Sequence, residues 1–130
     1  MTGEGKAPKV TGRGARGPKD LEVWQRAMSL AGRLYAIAGA LPAVELHGIG
    51  SQIRRAAVSV PSNIAEGYGR RAVGEYRHHV SIARGSLLEL ETLILLCVQL
   101  GYLPEQRTQG VLDEIDQLSR MLFTLASRLR

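Results

Sequence analysis

Arg70, Arg71, Arg77 and Arg84 lie in a stretch of the chain that holds few carboxylates. Guanidinium groups pair with phosphate oxygens, release counterions and give an affinity that falls with salt. These four, with Lys6, Lys9, Arg13 and Arg16 near the start of the chain, are the candidate nucleic-acid-binding residues. The plain alternative is a charged surface balanced by acidic residues elsewhere. Arg71 and His78 stand with six residues between them. An imidazole that titrates near neutrality could exchange protons there while an arginine holds phosphate, which is the chemistry of RNA cleavage. Glu75-Tyr76-Arg77-His78 has the Glu-x-x-His spacing of di-iron bundles. Such a site needs a second copy of the motif and two further inward carboxylates. Only one copy is present, so no metal and no cofactor are expected. His78 and His79 read as residues of a solvated face, and Tyr68 suits either stacking on a base or capping a turn.

A second set mixes charges with small residues: Arg54, Arg55, Asn63, Glu66, Ser86, Glu89 and Glu91. Charged groups taken into a helix contact must pair or bear a heavy desolvation cost. The set therefore predicts a polar network between the second and third helices, across a subunit boundary, that fixes register. Gly85 costs about 1 kcal/mol of helix propensity, so it and Ser86 are expected where backbones approach closely. Cys97 has no Cys or His partner nearby and reads as a small apolar group.

Four helices must position these residues. The first starts near Asp20, a good N-cap, and ends about Gly39. Leu21, Trp24, Ala27, Met28, Ala31, Leu34, Tyr35 and Ala38 share one face of it, and Val23, Leu30 and Ile37 form a second line. The second runs from Gly50 or Ser51 to Glu66 on Ile53, Ala56, Ala57, Val60 and Ile64, with Gly67 as its stop. Pro61 should kink or break it. The third, about Ala72 to Leu100, is amphipathic around Val73, Tyr76, Val80 and Ala83, then apolar all round after Gly85. A helix apolar on every side is buried on every side, which predicts a subunit interface there. The fourth runs from about Pro104 to Leu129 on Val111, Leu112, Ile115, Leu118, Leu122, Leu125 and Leu129, with Asp113, Glu114, Asp116, Arg120 and Arg128 toward water. No strand-like alternation occurs. The short joints predict an all-α, antiparallel up-down-up-down four-helix bundle.

With 130 residues, the chain suits one domain with an aliphatic core. Its net charge of +5 is unevenly placed. Residues 1–19 carry Lys6, Lys9, Arg13, Arg16 and Lys19 against Glu4, and the remainder is close to neutral. This Gly-, Lys- and Arg-rich segment cannot bury enough surface to offset its ordering entropy. It is expected to be a flexible basic tail preceding a domain at 20–130. One cysteine fits a reducing cytoplasm. The longest apolar run, Leu93 to Val98, is too short to span a bilayer, and no signal peptide is expected.

Asp20-Leu21-Glu22-Val23-Trp24, then Gln52-Ile53-Arg54-Arg55-Ala56-Ala57-Val58-Ser59-Val60-Pro61-Ser62-Asn63-Ile64-Ala65-Glu66-Gly67, then Ala83-Arg84-Gly85-Ser86-Leu87-Leu88-Glu89-Leu90-Glu91-Thr92 carry a resemblance. Over about residues 20–129 the chain resembles the bacterial four-helix-bundle family named for reading frames in intervening sequences of 23S ribosomal RNA genes. The resemblance implies a left-turning four-helix bundle assembled as a ring-like homopentamer. It implies no firm biochemical activity. The accessory variability protein of diversity-generating retroelements shares the architecture and binds both nucleic acid and a reverse transcriptase. Arg71 and His78 also resemble the Arg-spacer-His motif of the helical HEPN ribonucleases, a short motif that arises often by chance.

These readings predict a non-enzymatic homo-oligomer, pentameric by resemblance and without membrane attachment. It binds RNA or DNA, or scaffolds a nucleic-acid enzyme. The alternative is a structural adaptor without nucleic-acid affinity, and the remote one is a ribonuclease.

Overall fold

The computed structural model describes residues 17–18 and 21–129. Lys6, Lys9, Arg13, Arg16 and Asp20 lie outside the described residues, and so does the expected tail up to residue 16. The described chain is all α, with helices α1 (Glu22–Gly39), α2 (Ile49–Tyr68), α3 (Val73–Gln99) and α4 (Glu105–Arg128). A 3-10 turn, Ala43–Glu45, lies in the joint before α2, and no strand occurs among the described residues. Each helix packs on its neighbour in the chain, and α1 also packs on α4.

α1 corrects the sequence reading of its core face. The buried residues are Val23, Ala27, Leu30, Leu34, Ile37 and Ala38, so the core face takes Ala27, Leu34 and Ala38 from the expected line and all three residues of the second. Met28 and Tyr35 are exposed, while Trp24 and Ala31 are half-buried. Both lines satisfy helical spacing, and the packing of α2 and α4 centres the core between them, leaving the far edge of the first line outside. α1 also begins later than expected. Leu21, extended and with no side-chain cap bond, stands just before Glu22.

α2 buries Ile53, Ala56, Ala57, Val60 and Ile64 as expected, and it runs through Pro61 as one helix. Pro61 is itself buried, so packing on both sides of it offsets the roughly 3 kcal/mol that an interior proline costs. Gly67 does not stop the helix, which continues to Tyr68. A β-carbon at Gly67 would lie 2.9 Å from the His79 Cβ and 3.2 Å from the Tyr76 carbonyl oxygen. Glycine is needed there for the close approach of α3, not for a turn. Gly85, expected at such a contact, has nothing within 4 Å of an added β-carbon.

α3 buries Tyr76, Val80, Ala83, Leu87, Leu90, Ile94 and Cys97 against the rest of the bundle. Its end follows from hydrogen bonding. The Tyr102 N–H donates to the Cys97 carbonyl (2.9 Å) and the Gly101 N–H to the Val98 carbonyl (3.0 Å). This pattern needs a left-handed residue after the cap, and Gly101 supplies it with φ 78°. The all-round burial expected of the second half of α3 is not met within one chain. Leu93 is sheltered, but Leu88 is 58%, Leu95 50% and Leu100 49% exposed. The four-helix cross-section presents a single seam to the core, and these side chains lie off it.

α4 buries Val111, Ile115, Leu118, Leu122 and Leu125 as predicted. Glu114 departs from the expected solvent-facing set, because its carboxylate takes the Arg26 guanidinium of α1. Glu45 braces a further joint. One carboxylate oxygen accepts from the Ile49 N–H at the start of α2 (3.1 Å), and the other accepts from the Tyr102 hydroxyl (2.9 Å). Burial, then the charge of Glu45, pushes the Cys97 thiol above its ordinary pKa, which keeps it a neutral core group.

Candidate functional site

The structure divides the four candidate arginines Arg70, Arg71, Arg77 and Arg84. Arg70 pairs with Glu66 one helical turn earlier (2.9 Å), and Arg71 is exposed in the joint before α3. Arg77 and Arg84 instead line one cleft between α3 and α4, together with Ser81, Phe123, Ala126 and Ser127. The cleft measures about 640 Å³. Arg77 donates to the Leu129 carbonyl beyond the end of α4. This satisfies an orphan carbonyl and places a cation at the negative end of the helix dipole. The Arg84 guanidinium carbon lies 5.1 Å from the centre of the Phe123 ring, in cation–π range. Its Nε–H is buried and has no hydrogen-bond acceptor among the described residues. Neither Arg77 nor Arg84 forms an ion pair among the described residues, where the pairs are Arg26–Glu114, Arg70–Glu66 and Arg120–Asp116. Phe123 was not singled out in the sequence. As the chain's one phenylalanine, placed off the α4 core stripe, it was the available signal.

The polar set takes a different form from the one expected. Asn63 and Ser86 come together with Ser59 and His79, two residues that the sequence reading left out of the set. Ser86 Oγ donates to Ser59 Oγ (2.7 Å). The Asn63 amide donates to the Ser59 carbonyl (2.9 Å) and to Ser59 Oγ (3.1 Å). That orientation leaves Asn63 Oδ1 facing His79 Nδ1 at 2.9 Å. A carbonyl oxygen only accepts, so Nδ1 carries the hydrogen and the tautomer of His79 is set. His79 is therefore drawn into the α2–α3 contact, and His78 alone of the pair is fully on the outside. The ladder closes polar groups at a helix contact where an unmade bond would cost about 1–3 kcal/mol.

The charged members stay apart from this ladder. Arg54 donates to the Leu46 carbonyl (2.8 Å), and Arg55, Glu89 and Glu91 are exposed. Tyr68 is half-buried and meets Tyr76 edge-on, with centroids 6.3 Å apart, so it serves the α2–α3 turn. Arg71 and His78 are both exposed, and neither lines the α3–α4 cleft. Among the described residues no three His, Cys, Asp or Glu side chains gather as a metal site would require. No described helix is long and apolar enough to cross a membrane.

A second groove lies between α1 and α2, measures about 580 Å³, and is walled by Trp24, Met28, Tyr35, Val58, Pro61 and Ala65. It shares no helix with the α3–α4 cleft. Because each helix packs on its chain neighbour and α4 returns to α1, the two lie on opposite sides of the bundle.

Residues 19–124 match the model of a protein family described as 23S rRNA-intervening sequence protein. No curated protein matches the chain.

Proposed function

Since the chain belongs to the 23S rRNA-intervening sequence protein family, we propose that it is a non-enzymatic module that assembles with copies of itself and binds nucleic acid or holds a nucleic-acid enzyme. The subunit is an up-down-up-down antiparallel bundle, and the assembly is a closed ring of five, the arrangement that the family resemblance implies. The observation that carries the reading is the apolar surface left outside at two separate places. Leu88, Leu95 and Leu100 project from α3, while Trp24, Met28, Tyr35 and Val58 wall the α1–α2 groove. Apolar groups gathered on a surface mark interaction sites, whereas singly scattered ones do not. Two different patches meeting head to tail generate a ring when the rotation closes.

Nucleic-acid affinity comes from arginines repeated around the ring, because several weak sites on one body bind far more tightly than each alone. The alternative, an adaptor with no such affinity, is favoured by the near-neutral charge of the chain beyond residue 19. Sedimentation velocity of the full chain tests the assembly, and a single subunit at micromolar concentration overturns it. Filter binding of RNA and DNA at low and moderate salt tests the affinity. Retention that falls as salt rises supports the first reading, and no retention at low salt leaves the adaptor.

A further inference from the structure

We infer that the α3–α4 cleft is a subsite for single-stranded nucleic acid, in which Arg77 and Arg84 hold a phosphodiester and Phe123 carries the adjoining base. The inference deepens the nucleic-acid part of the proposed function and rests on it. Two guanidinium groups open onto one cleft, and no carboxylate forms an ion pair with either among the described residues. The residues that line the cleft therefore carry two positive charges and no negative one, a balance that an oxyanion suits. Arginine stays charged, so this demand persists at every working pH. The buried Arg84 Nε–H adds a second indication. It is a charged donor without an acceptor, and such a group is among the costliest to leave unmade.

Phe123 selects among oxyanions. It is 60% exposed on a helix whose other large apolar residues are mostly in the core. Its ring stands beside Arg84, and Ala126 continues the apolar wall. Free phosphate would satisfy the arginines and leave that wall wet, whereas a nucleotide unit fills both parts. The volume suits this, since pockets for small organic ligands run about 300–1,000 Å³. A ring face is available only to a base that is not already stacked, so the ligand is a single strand and not a duplex. The Ser81 hydroxyl, on the α3 wall between the two arginines, stands ready as a neutral donor.

The test uses the full chain and fluorescence anisotropy, with labelled fifteen-nucleotide oligo(U), oligo(dT) and a duplex of equal length as probes. Arg84→Gln and Phe123→Ala are each expected to weaken single-strand binding by about tenfold or more, with sedimentation unchanged. Arg84→Lys should recover only part of the loss, because a point charge replaces a planar fork. Variants that bind like the parent overturn the subsite. If binding is lost instead on replacing Arg70 and Arg71, or Lys6, Lys9, Arg13 and Arg16, with Gln, the subsite fails and the wider nucleic-acid reading survives. A parent chain that binds no probe overturns both. Equal affinity for duplex and single strand removes the stacking role and with it the inference. An Arg84→Gln chain that sediments as a smaller species with unchanged helicity makes the cleft a contact between copies and also overturns it.

Discussion

Arg26 and Glu114, 88 positions apart, form a two-pronged pair: Nε donates to one carboxylate oxygen at 2.8 Å and Nη2 to the other at 2.7 Å. The same guanidinium reaches Gln117 Oε1 at 2.7 Å and the Met121 sulfur at 3.1 Å. One α1 side chain thus reads three successive turns of α4 and fixes the register of the two helices. The hydrogen bond to Glu114 holds the Arg26 pKa above its ordinary value, and partial burial opposes it. Both side chains are less than a third exposed, so the pair is not an ordinary surface bridge. Arg26→Met is expected to destabilise the chain by about 1–3 kcal/mol, and a double-mutant cycle with Glu114→Gln to return a coupling of about 1 kcal/mol or more. Urea unfolding measures both. Additive effects reject the register role.

Two glycines should respond in opposite directions. Gly85 faces open space, so Gly85→Ala should raise the melting temperature, by about 0.5–1 kcal/mol of stability. Gly67 faces His79 and Tyr76 at sub-contact distances, so Gly67→Ala should lower stability by about 1–3 kcal/mol. A Gly85→Ala chain that melts below its parent shows that another copy packs on this position.

Assembly should depend on exposed groups that contribute nothing to the fold of one subunit. Leu95 is half exposed, and Leu95→Glu is expected to release single subunits that keep their helicity. Glu89 is exposed on α3, and Glu89→Ala is expected to weaken assembly at equal subunit stability. Sedimentation velocity with circular dichroism reads both. Parent-like sedimentation of the two variants rejects α3 as an interface.

Alkaline pH should loosen the brace at Glu45. The hydrogen bond to Glu45, and then burial, hold the Tyr102 phenol above its ordinary pKa of 10.0. The protonated phenol is the form that folding favours. Its contribution is complete below the unfolded pKa and is lost as pH rises through the folded one. The melting temperature of the parent should therefore exceed that of Tyr102→Phe near neutrality, and the difference should shrink above about pH 10. A difference that stays constant through that range rejects the brace.

Much of the fold was legible because it is written in local spacing. The core stripes of α2 and α4, the end of α3 near Leu100 and the four-helix count follow from i, i+3, i+4 periodicity and turn chemistry. Of the polar set, Asn63 and Ser86 were found because small and polar residues stood out in an apolar helix. His79 was misplaced, because its partner lies on another helix and spacing along α3 alone marks it as solvated.

By itself the sequence determined which segments coil and which residues are apolar enough to be buried, since both depend on neighbours within a turn or two. Only the tertiary structure decided which members of the two apolar lines on α1 face inward, that Arg26 finds Glu114, and that Arg84 comes to rest beside Phe123. Those outcomes depend on how far each helix is rotated about its own axis. Each residue advances that rotation by about 100°, so small differences in how helices seat on one another change which side chains meet.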